Sequence, residues 1–303
     1  MKTTIKLVTV ITAVGISISH GDPFDKAIRP VTSPTLFDLA LPRTSANLIF
    51  INQSLPSSVN STLGEVSLDG DFNVYAIQLE YALNERTSIV ATKDGYIDFN
   101  PDDTLSSEEG FANLGAGLKR AFIYNPEQQF IFSGIAGVEV PTGNSDVFQG
   151  TGSGAIDLRL SALKLCEGFQ FASSASLHIP FDNSESLTGQ INLHASYELS
   201  PWFIPLVELS WFRTIESGDG SFDFGGSQGG STVPEILTFE GGDLINVGAE
   251  NGDENADIVN FAFGFRSRIT DQITFGAAYE FPLTDDTETL LDRRVTASLT
   301  YNF

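Results

Sequence analysis

The sequence predicts an all-β fold, a closed antiparallel transmembrane β-barrel of about 12 strands with short periplasmic turns and long external loops. Three observations lead to this fold class. Apolar and polar residues alternate with a period of two along many segments. The connections between these segments alternate between short and long. Beyond residue 20 the chain has no run of about 18 apolar residues that could form a transmembrane helix.

Residues 191–199 illustrate the alternation. Their odd-numbered side chains are apolar and their even-numbered ones polar, as expected for a strand with one face toward an apolar environment. The segments 87–96 and 113–123 alternate poorly, so their faces are not assigned. In chain order, the pattern predicts strands at 47–53, 74–83, 87–96, 113–123, 129–140, 155–162, 169–179, 191–199, 203–213, 258–268, 272–281 and 293–303.

The lengths of the connections give the barrel its orientation. Links after even-numbered strands are short, such as 84–86 and 200–201. Links after odd-numbered strands are longer and rich in Gly, Asn, Asp and Ser, such as 141–153 and 214–257. Tight periplasmic turns and long external loops are typical of outer-membrane barrels, whereas a soluble sandwich has no reason to sort its loops in this way. Part of the longest loop, 218–231, is of low complexity and is expected to be mobile.

The N-terminal region divides into two parts before the barrel begins. Residues 1–19 combine Lys2 and Lys6 with an apolar run at 7–19, which predicts a signal peptide cleaved near residues 19–21. An N-terminal anchor or buried strand is the alternative. Residues 20–46 are not strand-like and form either a periplasmic segment or a plug inside the barrel, which occupies 47–303. Ser33 followed by Pro34 could start a short helix there.

The composition excludes several classes of function. With 39 Asp and Glu against 16 Lys and Arg, the net charge of −23 argues against nucleic-acid binding. A single Cys excludes an intrachain disulfide, and no cofactor or metal site is predicted. The acidic loops at 68–73 and 249–258 lack the spacing of an EF-hand, so solvated loop charge is favoured over Ca²⁺ binding.

The polar faces of the strands provide candidate lumen-lining residues. Charged groups facing one another across a narrow lumen could select what passes; alternatively, they could pair and close the barrel. His178 and His194 share this face with serines, as a hydrolase would need, but no nucleophile-elbow motif is present and a non-enzyme is predicted. The lumen candidates are Gln78, Glu80, Glu139, Asp157, Arg159, Gln170, His178, Gln190, Asn192, His194, Glu198, Glu208, Arg266, Glu280 and Arg294.

Three stretches resemble a known family. Residues 130–162, with the strand ending VPTG, together with 206–212 and 279–296, are similar to the outer-membrane barrels of the putative MetA-pathway of phenol degradation family. The resemblance extends over most of 45–303 and implies a role in the uptake of aromatic compounds. The chain ends VTASLTYNF, whose aromatic Tyr301 and Phe303 are similar to the signal that the barrel-assembly machinery recognises.

The sequence therefore predicts an outer-membrane barrel that acts as a passive channel or uptake protein for small solutes, with hydrophobic and aromatic compounds as candidates. Its expected partners are outer-membrane lipids, the barrel-assembly machinery and a small-molecule solute. Two alternatives remain: a structural or surface-interaction barrel with an occluded lumen, and an outer-membrane lipid hydrolase.

Overall fold

The computed structural model describes residues 23–303 and confirms the barrel. Its strands are β1 (Ser45–Ser54), β2 (Ser58–Val59), β3 (Val66–Ser67), β4 (Gly70–Asn84), β5 (Thr87–Lys93), β6 (Tyr96–Pro101), β7 (Glu108–Phe111), β8 (Leu114–Asn125), β9 (Phe130–Val140), β10 (Ala155–Cys166), β11 (Phe169–Pro180), β12 (Leu187–Tyr197), β13 (Ile204–Glu216), β14 (Asp257–Arg268), β15 (Ile273–Pro282) and β16 (Arg293–Asn302). The one α-helix within the described range is α1 (Thr232–Ile236), which is little more than a single turn. The predicted signal peptide lies outside the described residues.

Twelve of these strands form a closed antiparallel barrel. The ring closes because β1 pairs with β16 on one side and with β4 on the other, Ser45 lying opposite Asn302 and Glu80. Closure leaves no unpaired edge in the twelve-stranded ring, as a backbone surrounded by hydrocarbon requires. Of the remaining strands, β6 and β7 extend the wall beyond β4, whereas β2 and β3 form a separate two-stranded sheet in a loop.

The two faces of the barrel wall differ as the alternation predicts. On β12, Ile191 and Leu193 point outward and are exposed, whereas Asn192 and His194 point inward and are buried. The final strand follows the same rule, since Val295 and Leu299 are exposed while Thr296 and Ser298 are buried. An apolar outer face and a polar inner face suit a wall with lipid outside and a hydrogen-bonded interior.

The two poorly alternating segments contain real irregularities. The predicted strand 87–96 is interrupted at Asp94 and Gly95, where β5 ends and β6 begins. The Ile77 backbone N–H loses its strand partner there and donates to Asp94 Oδ1 at 3.1 Å. Gly95 adopts φ of +140°, a conformation that other residues rarely adopt. On the neighbouring strand, β8 carries a register shift between Ala121 and Ile123, so its alternation also fails locally.

The connections are sorted by length as predicted. Short turns join one end of the barrel, such as those between β10 and β11 and between β14 and β15; we call it the turn end. The opposite loop end carries the long loop, residues 217–256. The tract 218–231, which was expected to be mobile, contains Phe222 and Phe224, and both are buried in an apolar cluster with Phe148 and Phe239. The low-complexity composition hid these two spaced aromatic anchors.

That apolar cluster covers the loop end of the barrel. It joins the long loop to inward residues of β1, β4 and β6, including Ile51, Phe72 and Phe99. The rings of Phe148 and Phe224 are 4.8 Å apart, and those of Phe99 and Phe148 are 5.4 Å apart. The long loop therefore folds over the barrel mouth. Between residues 23 and 303 no helix is long and apolar enough to cross a membrane.

Candidate functional site

The lumen is the candidate site, because the polar residues singled out from the sequence converge on it. Among these residues only His178 and Glu198 are partly buried, and all the others are buried. Strand alternation explains this arrangement, since each of these side chains except that of Glu198, which follows β12, projects from the inner face of its strand. None of them faces an open channel, because the lumen holds residues 23–44, which we call the inner segment.

The inner segment enters the lumen at the turn end and returns to it. Its first residues are bonded to the wall at the turn end. Gln129 donates to the Pro23 carbonyl, and Arg268 donates to the Lys26 carbonyl. Thr35 reaches the long loop, donating to the Asp243 carbonyl at 3.1 Å. The chain reverses at Ser33, whose carbonyl accepts from Leu36 N at 3.0 Å and Phe37 N at 2.7 Å. The helix start expected at Ser33 and Pro34 is therefore a single turn, after which the segment runs back to Ser45.

Wall side chains provide hydrogen bonds for the first arm of this segment. The side-chain amide of Gln170 pairs with the backbone of Ile28. Its oxygen accepts from the Ile28 N–H at 2.9 Å, and its nitrogen donates to the Ile28 carbonyl at 2.7 Å. Arg266 donates to the Pro30 carbonyl at 2.7 Å. An irregular backbone inside a barrel needs such partners, because only a few of its own N–H and C=O groups, such as those at the Ser33 turn, pair within the segment.

Further wall groups hold the reversal and the second arm. Gln78 donates to the Pro34 carbonyl at 3.2 Å, Arg159 donates to the Thr35 carbonyl, and Ser174 donates to the Leu36 carbonyl at 3.2 Å. Gln190 donates to Ser33 Oγ at 3.1 Å. Predicted lumen residues thus bond the inner segment itself.

Four charged side chains form a buried network between the inner segment and the wall. Arg29 and Asp38 come from the segment, while Glu80 and Lys119 come from β4 and β8. Arg29 lies 2.5 Å from Asp38 and 3.0 Å from Glu80, and Lys119 lies 2.7 Å from Asp38 and 3.0 Å from Glu80. Each cation contacts both anions. With two cations and two anions, the network is neutral overall. Such mutual pairing is what permits ionised groups to be buried.

Sequence reasoning identified only Glu80 of this network. A signal for Lys119 existed, because the apolar Ala116 and Leu118 mark the outer face of β8 and the alternation then places Lys119 on the inner face. Arg29 and Asp38 lie in an irregular segment with no periodicity, so nothing in their local sequence indicated a contact with β4 or β8.

Apolar contacts anchor the inner segment near the turn end. Phe24, Phe37 and Leu39 pack in a buried cluster with Ile131 and Leu163 of the wall. Here the inner faces of β9 and β10 are apolar, which departs from the polar lumen predicted overall. Burying these side chains stabilises the segment without requiring a hydrogen-bond partner for each one.

Two further ionic groups lie at the two ends of the lumen. At the loop end, Arg294 lies 2.8 Å from Asp243 of the long loop and 3.3 Å from Glu280. At the turn end, Glu198 lies 3.3 Å from Arg268 and 3.6 Å from Lys26 of the inner segment. These pairs tie the long loop and the inner segment to the wall at opposite ends.

His194 lies at the centre of a hydrogen-bonded chain. Its Nδ1 is 2.7 Å from Glu208 Oε1 and its Nε2 is 2.9 Å from Ser196 Oγ. Glu208 also accepts from the N–H groups of Val31 and Thr32 at 3.0 and 2.8 Å. A Ser, His and carboxylate in this order resemble the hydrogen-bonding pattern of a nucleophilic hydrolase. All three side chains are buried, and the acid is shared with the inner segment.

His178 forms the second histidine cluster, near the loop end of the wall. Its Nδ1 is 2.9 Å from Asp157 Oδ1. Glu139 on the adjacent strand lies 2.7 Å from Lys93 Nζ and accepts from Asn113 at 2.8 Å. The candidates Glu139, Asp157 and His178, predicted separately, are therefore brought together on three consecutive strands.

Little free volume remains around the inner segment. A cavity of about 40 Å³ lies beside Lys93, Asp157 and His178, and one of about 90 Å³ lies at the turn end beside Ser196. Each holds no more than a few waters. A much larger concavity of about 810 Å³ lies on the outer face, lined by apolar groups such as Leu158 and Trp211. It faces the lipid side of the wall and does not belong to the lumen.

Glu240 anchors the long loop over the lumen. It accepts from Ser186 Oγ at 2.5 Å, from Gly241 N at 3.0 Å, and from the N–H groups of Val247 and Ala249. Burial raises the pKa of this carboxyl above its ordinary value, although the hydrogen bonds oppose the shift. The loop therefore contains a buried acid whose protonation is coupled to loop closure.

Comparisons with known proteins agree with the barrel fold. A family model described as "Putative MetA-pathway of phenol degradation" matches residues 43–233. An outer membrane channel from Pseudomonas putida F1 superposes with a TM-score of 0.59 at 14% identity, covering 86% of this chain and 96% of that one. The NanC porin superposes with a TM-score of 0.50 at 5% identity, covering 85% and 100%. A search of curated proteins found no match.

Proposed function

We propose that this chain, which belongs to the putative MetA-pathway of phenol degradation family, is an outer-membrane channel whose inner segment closes the passage and opens it by leaving the lumen. The observation that carries the proposal is the enclosed inner segment, held mainly through polar wall groups such as Glu80, Gln170 and Glu208. A purely structural barrel could instead fill its lumen with wall side chains alone.

Displacement of the inner segment would leave a polar passage. The wall groups that now bond it would then face water, which can replace their hydrogen bonds at modest net cost, about 0.5–1.5 kcal/mol for each bond. The segment joins the barrel directly only at Ser45, at the turn end, so it can withdraw in that direction without breaking a strand pairing. The long loop would have to move as well, because Asp243 pairs with Arg294 over the mouth.

The family description suggests the class of solute. We infer small aromatic compounds of the kind that phenol degradation consumes. The apolar cluster around Phe148 and Phe224 supports this choice, because its rings are buried under the closed long loop and would contact an aromatic solute once that loop opens. The proposal includes no catalytic step.

The same proposal covers location and partners. An exported chain with this barrel would lie in the outer membrane, with outer-membrane lipids against exposed residues such as Leu193 and Phe263. The barrel-assembly machinery would insert it, reading the terminal Tyr301 and Phe303.

Conductance in planar bilayers tests the proposed gate. The full chain should conduct weakly, and a variant lacking residues 23–41 should conduct strongly. A lock provides the converse test: in a C166S background, Ser33→Cys and Gln190→Cys should be joined by a short thiol-cleavable cross-linker. Gln190 Nε2 lies 3.1 Å from Ser33 Oγ, and the linker spans the gap that the shorter cysteine at position 190 leaves. Joining them should abolish openings, and reduction should restore them.

The outcomes separate the proposal from its structural alternative. If removal of residues 23–41 leaves conductance at the level of the full chain in a folded barrel, the gate is wrong and an occluded structural barrel is favoured.

The solute class is tested separately, by comparing the swelling of liposomes in benzoate with their swelling in a sugar of similar size. Equal rates for both solutes would contradict a preference for aromatic compounds.

The hydrogen-bonded chain of Ser196, His194 and Glu208 supports a second candidate, a serine hydrolase. In this reading Ser196 Oγ would attack an ester carbonyl while His194 accepted its proton. Ser196 is buried, so the inner segment would have to leave before a substrate entered. Labelling by a fluorophosphonate, lost in Ser196→Ala and in His194→Asn but retained in Ser174→Ala, would favour the enzyme. An unlabelled full chain and an unlabelled variant lacking residues 23–41 would exclude it.

A further inference from the structure

Two buried polar atoms face each other at the loop end of the barrel wall. His178 Nε2 and Glu185 Oε2 are 3.9 Å apart, too far for a hydrogen bond. Within the described part of the chain, neither atom has a hydrogen-bond partner. The Glu185 side chain is only 6% exposed, so water does not readily solvate it. Leaving buried polar atoms unpaired is costly, so a ligand that contacts both atoms would be stabilised between them.

The hydrogen bond on the other side of the imidazole ring sets its chemistry. Nδ1 lies 2.9 Å from Asp157 Oδ1, so in the neutral ring Nδ1 carries the proton and donates it to the carboxylate. Nε2 then presents a lone pair toward Glu185. A carboxylate that orients a histidine through Nδ1 while Nε2 is free is the usual arrangement behind a metal-binding histidine.

The surroundings carry an excess of negative charge. Ligand atoms of Glu139, Asp157 and His178 all lie within 4.8 Å of one another. With Glu185, three carboxylates meet two cations, the Lys93 ammonium, which is paired to Glu139 at 2.7 Å, and the Arg159 guanidinium, whose charge acts on Asp157. Beside a neutral His178, one negative charge is left uncompensated. A cation would therefore be electrostatically favoured at this position.

We propose that a divalent transition-metal ion of the Zn²⁺ class binds between His178 Nε2 and the Glu185 carboxylate, with Glu139 as a third ligand and Asp157 as the group that orients the imidazole. A nitrogen ligand selects a transition metal over Ca²⁺ or Mg²⁺, which prefer oxygen ligands alone. The adjoining cavity of about 40 Å³ has room for a water molecule to complete the coordination.

The backbone around Glu185 is built to hold it in place. Gly152 has φ of +73° and lies against Glu185, where a Cβ would come within 3.0 Å of its carboxyl carbon. The next residue, Ser186, donates to Glu240 and exchanges hydrogen bonds with Asn246 of the long loop. A bound ion would therefore connect β9 and β11 to the segment 181–186 and, through Ser186, to the long loop. This inference does not depend on the proposed channel activity.

Calorimetric titration of the folded, metal-free full chain with ZnCl₂ in detergent tests the site. We expect one Zn²⁺ per chain, and at least about tenfold weaker binding in His178→Asn and in Glu185→Gln. Asp157→Asn should weaken binding without abolishing it. His194→Asn is the matched control, because both nitrogens of His194 are already bonded to Glu208 and Ser196, and it should bind Zn²⁺ as the native chain does.

A second measurement keeps the test decisive if a variant folds poorly. Co²⁺ bound by a nitrogen and carboxylates gives a visible absorption band, which should appear in the native chain and in His194→Asn but not in Glu185→Gln. Folding of each variant is checked by the heat-modifiable migration of barrels in detergent gels. Absence of stoichiometric Zn²⁺ binding by the native chain, or native affinity in both His178→Asn and Glu185→Gln, would overturn the proposal.

Discussion

Lys119 on β8 and Asp38 on the inner segment form an ion pair of 2.7 Å in which both side chains are completely buried. The pair links residues 81 positions apart and is completed by Arg29 and Glu80, so that two cations face two anions. Because the loss of any single member leaves a net charge buried in the lumen, the network couples the position of the inner segment to the charge state of the wall.

Replacing one member of this network should release the inner segment. Asp38→Asn leaves two cations against Glu80 alone, and breaking a buried pair from one side costs about 3–5 kcal/mol. Because water can solvate the excess charge once the segment leaves, the open state should gain population. Single-channel recording should therefore show more frequent and longer openings than in the native chain.

Two variants control this prediction. Asp25→Asn alters an exposed acid of the same segment and should gate as the native chain does. The double variant Asp38→Asn with Lys119→Met retains the pair of Arg29 and Glu80 and should close again. Native gating in Asp38→Asn, or stronger opening in the double variant than in Asp38→Asn, would contradict the role assigned to the network.

Closure of the long loop should be strongest at acidic pH. Burial raises the pKa of Glu240, so the closed loop holds the proton more tightly than the open one. As the pH rises above the ordinary glutamate pKa of about 4.3, Glu240 ionises first in the open loop. The open loop therefore gains stability relative to the closed loop. Hydrogen exchange of amides 241–249, corrected for intrinsic rates, should show less protection at about pH 8 than at about pH 5.

Glu240→Gln isolates this effect. Its amide cannot ionise, so protection of the long loop should become nearly independent of pH. Glu254→Gln changes an exposed acid of the same loop and should keep the native pH dependence. A loop that becomes more protected as the pH rises would refute the assignment to Glu240.

The barrel could be predicted from the sequence because strand alternation is a local property. Ile191 and Asn192 reveal their faces by their immediate neighbours, and the same reasoning applies along every regular strand. The inner segment was undecidable because its contacts are not local: Arg29 pairs with Glu80, 51 positions away, and no period marks it. Glu185 and Ser196 were missed for a related reason, since their importance arises from the histidines that folding places beside them.

Phe224 should be essential for order in the long loop. Its ring is completely buried and contacts that of Phe148 at 4.8 Å. Phe224→Ala would leave a cavity costing about 3–5 kcal/mol, which exceeds the stability expected of a single loop. Hydrogen exchange across 217–256 should rise sharply while exchange in the barrel strands is unchanged. Phe181→Ala, which truncates an exposed ring at the same end, should have little effect.

Deleting Phe303 should impair assembly while leaving the properties of assembled channels intact. Its ring is 70% exposed and packs 4.8 Å from that of Tyr301, so it contributes nothing to the lumen. The deletion also removes the hydrogen bond from the Phe303 N–H to the Thr44 carbonyl. The pairing of β16 with β1 is kept, because it runs from Arg293 to Asn302. The fraction of heat-modifiable protein in outer membranes should fall, while single-channel conductance of the surviving protein should equal that of the native chain. Phe203→Ala, another exposed ring at the turn end, should assemble normally. Normal insertion of the deletion would mean that the terminal aromatic is not an assembly signal, and altered conductance would mean that the terminus shapes the pore.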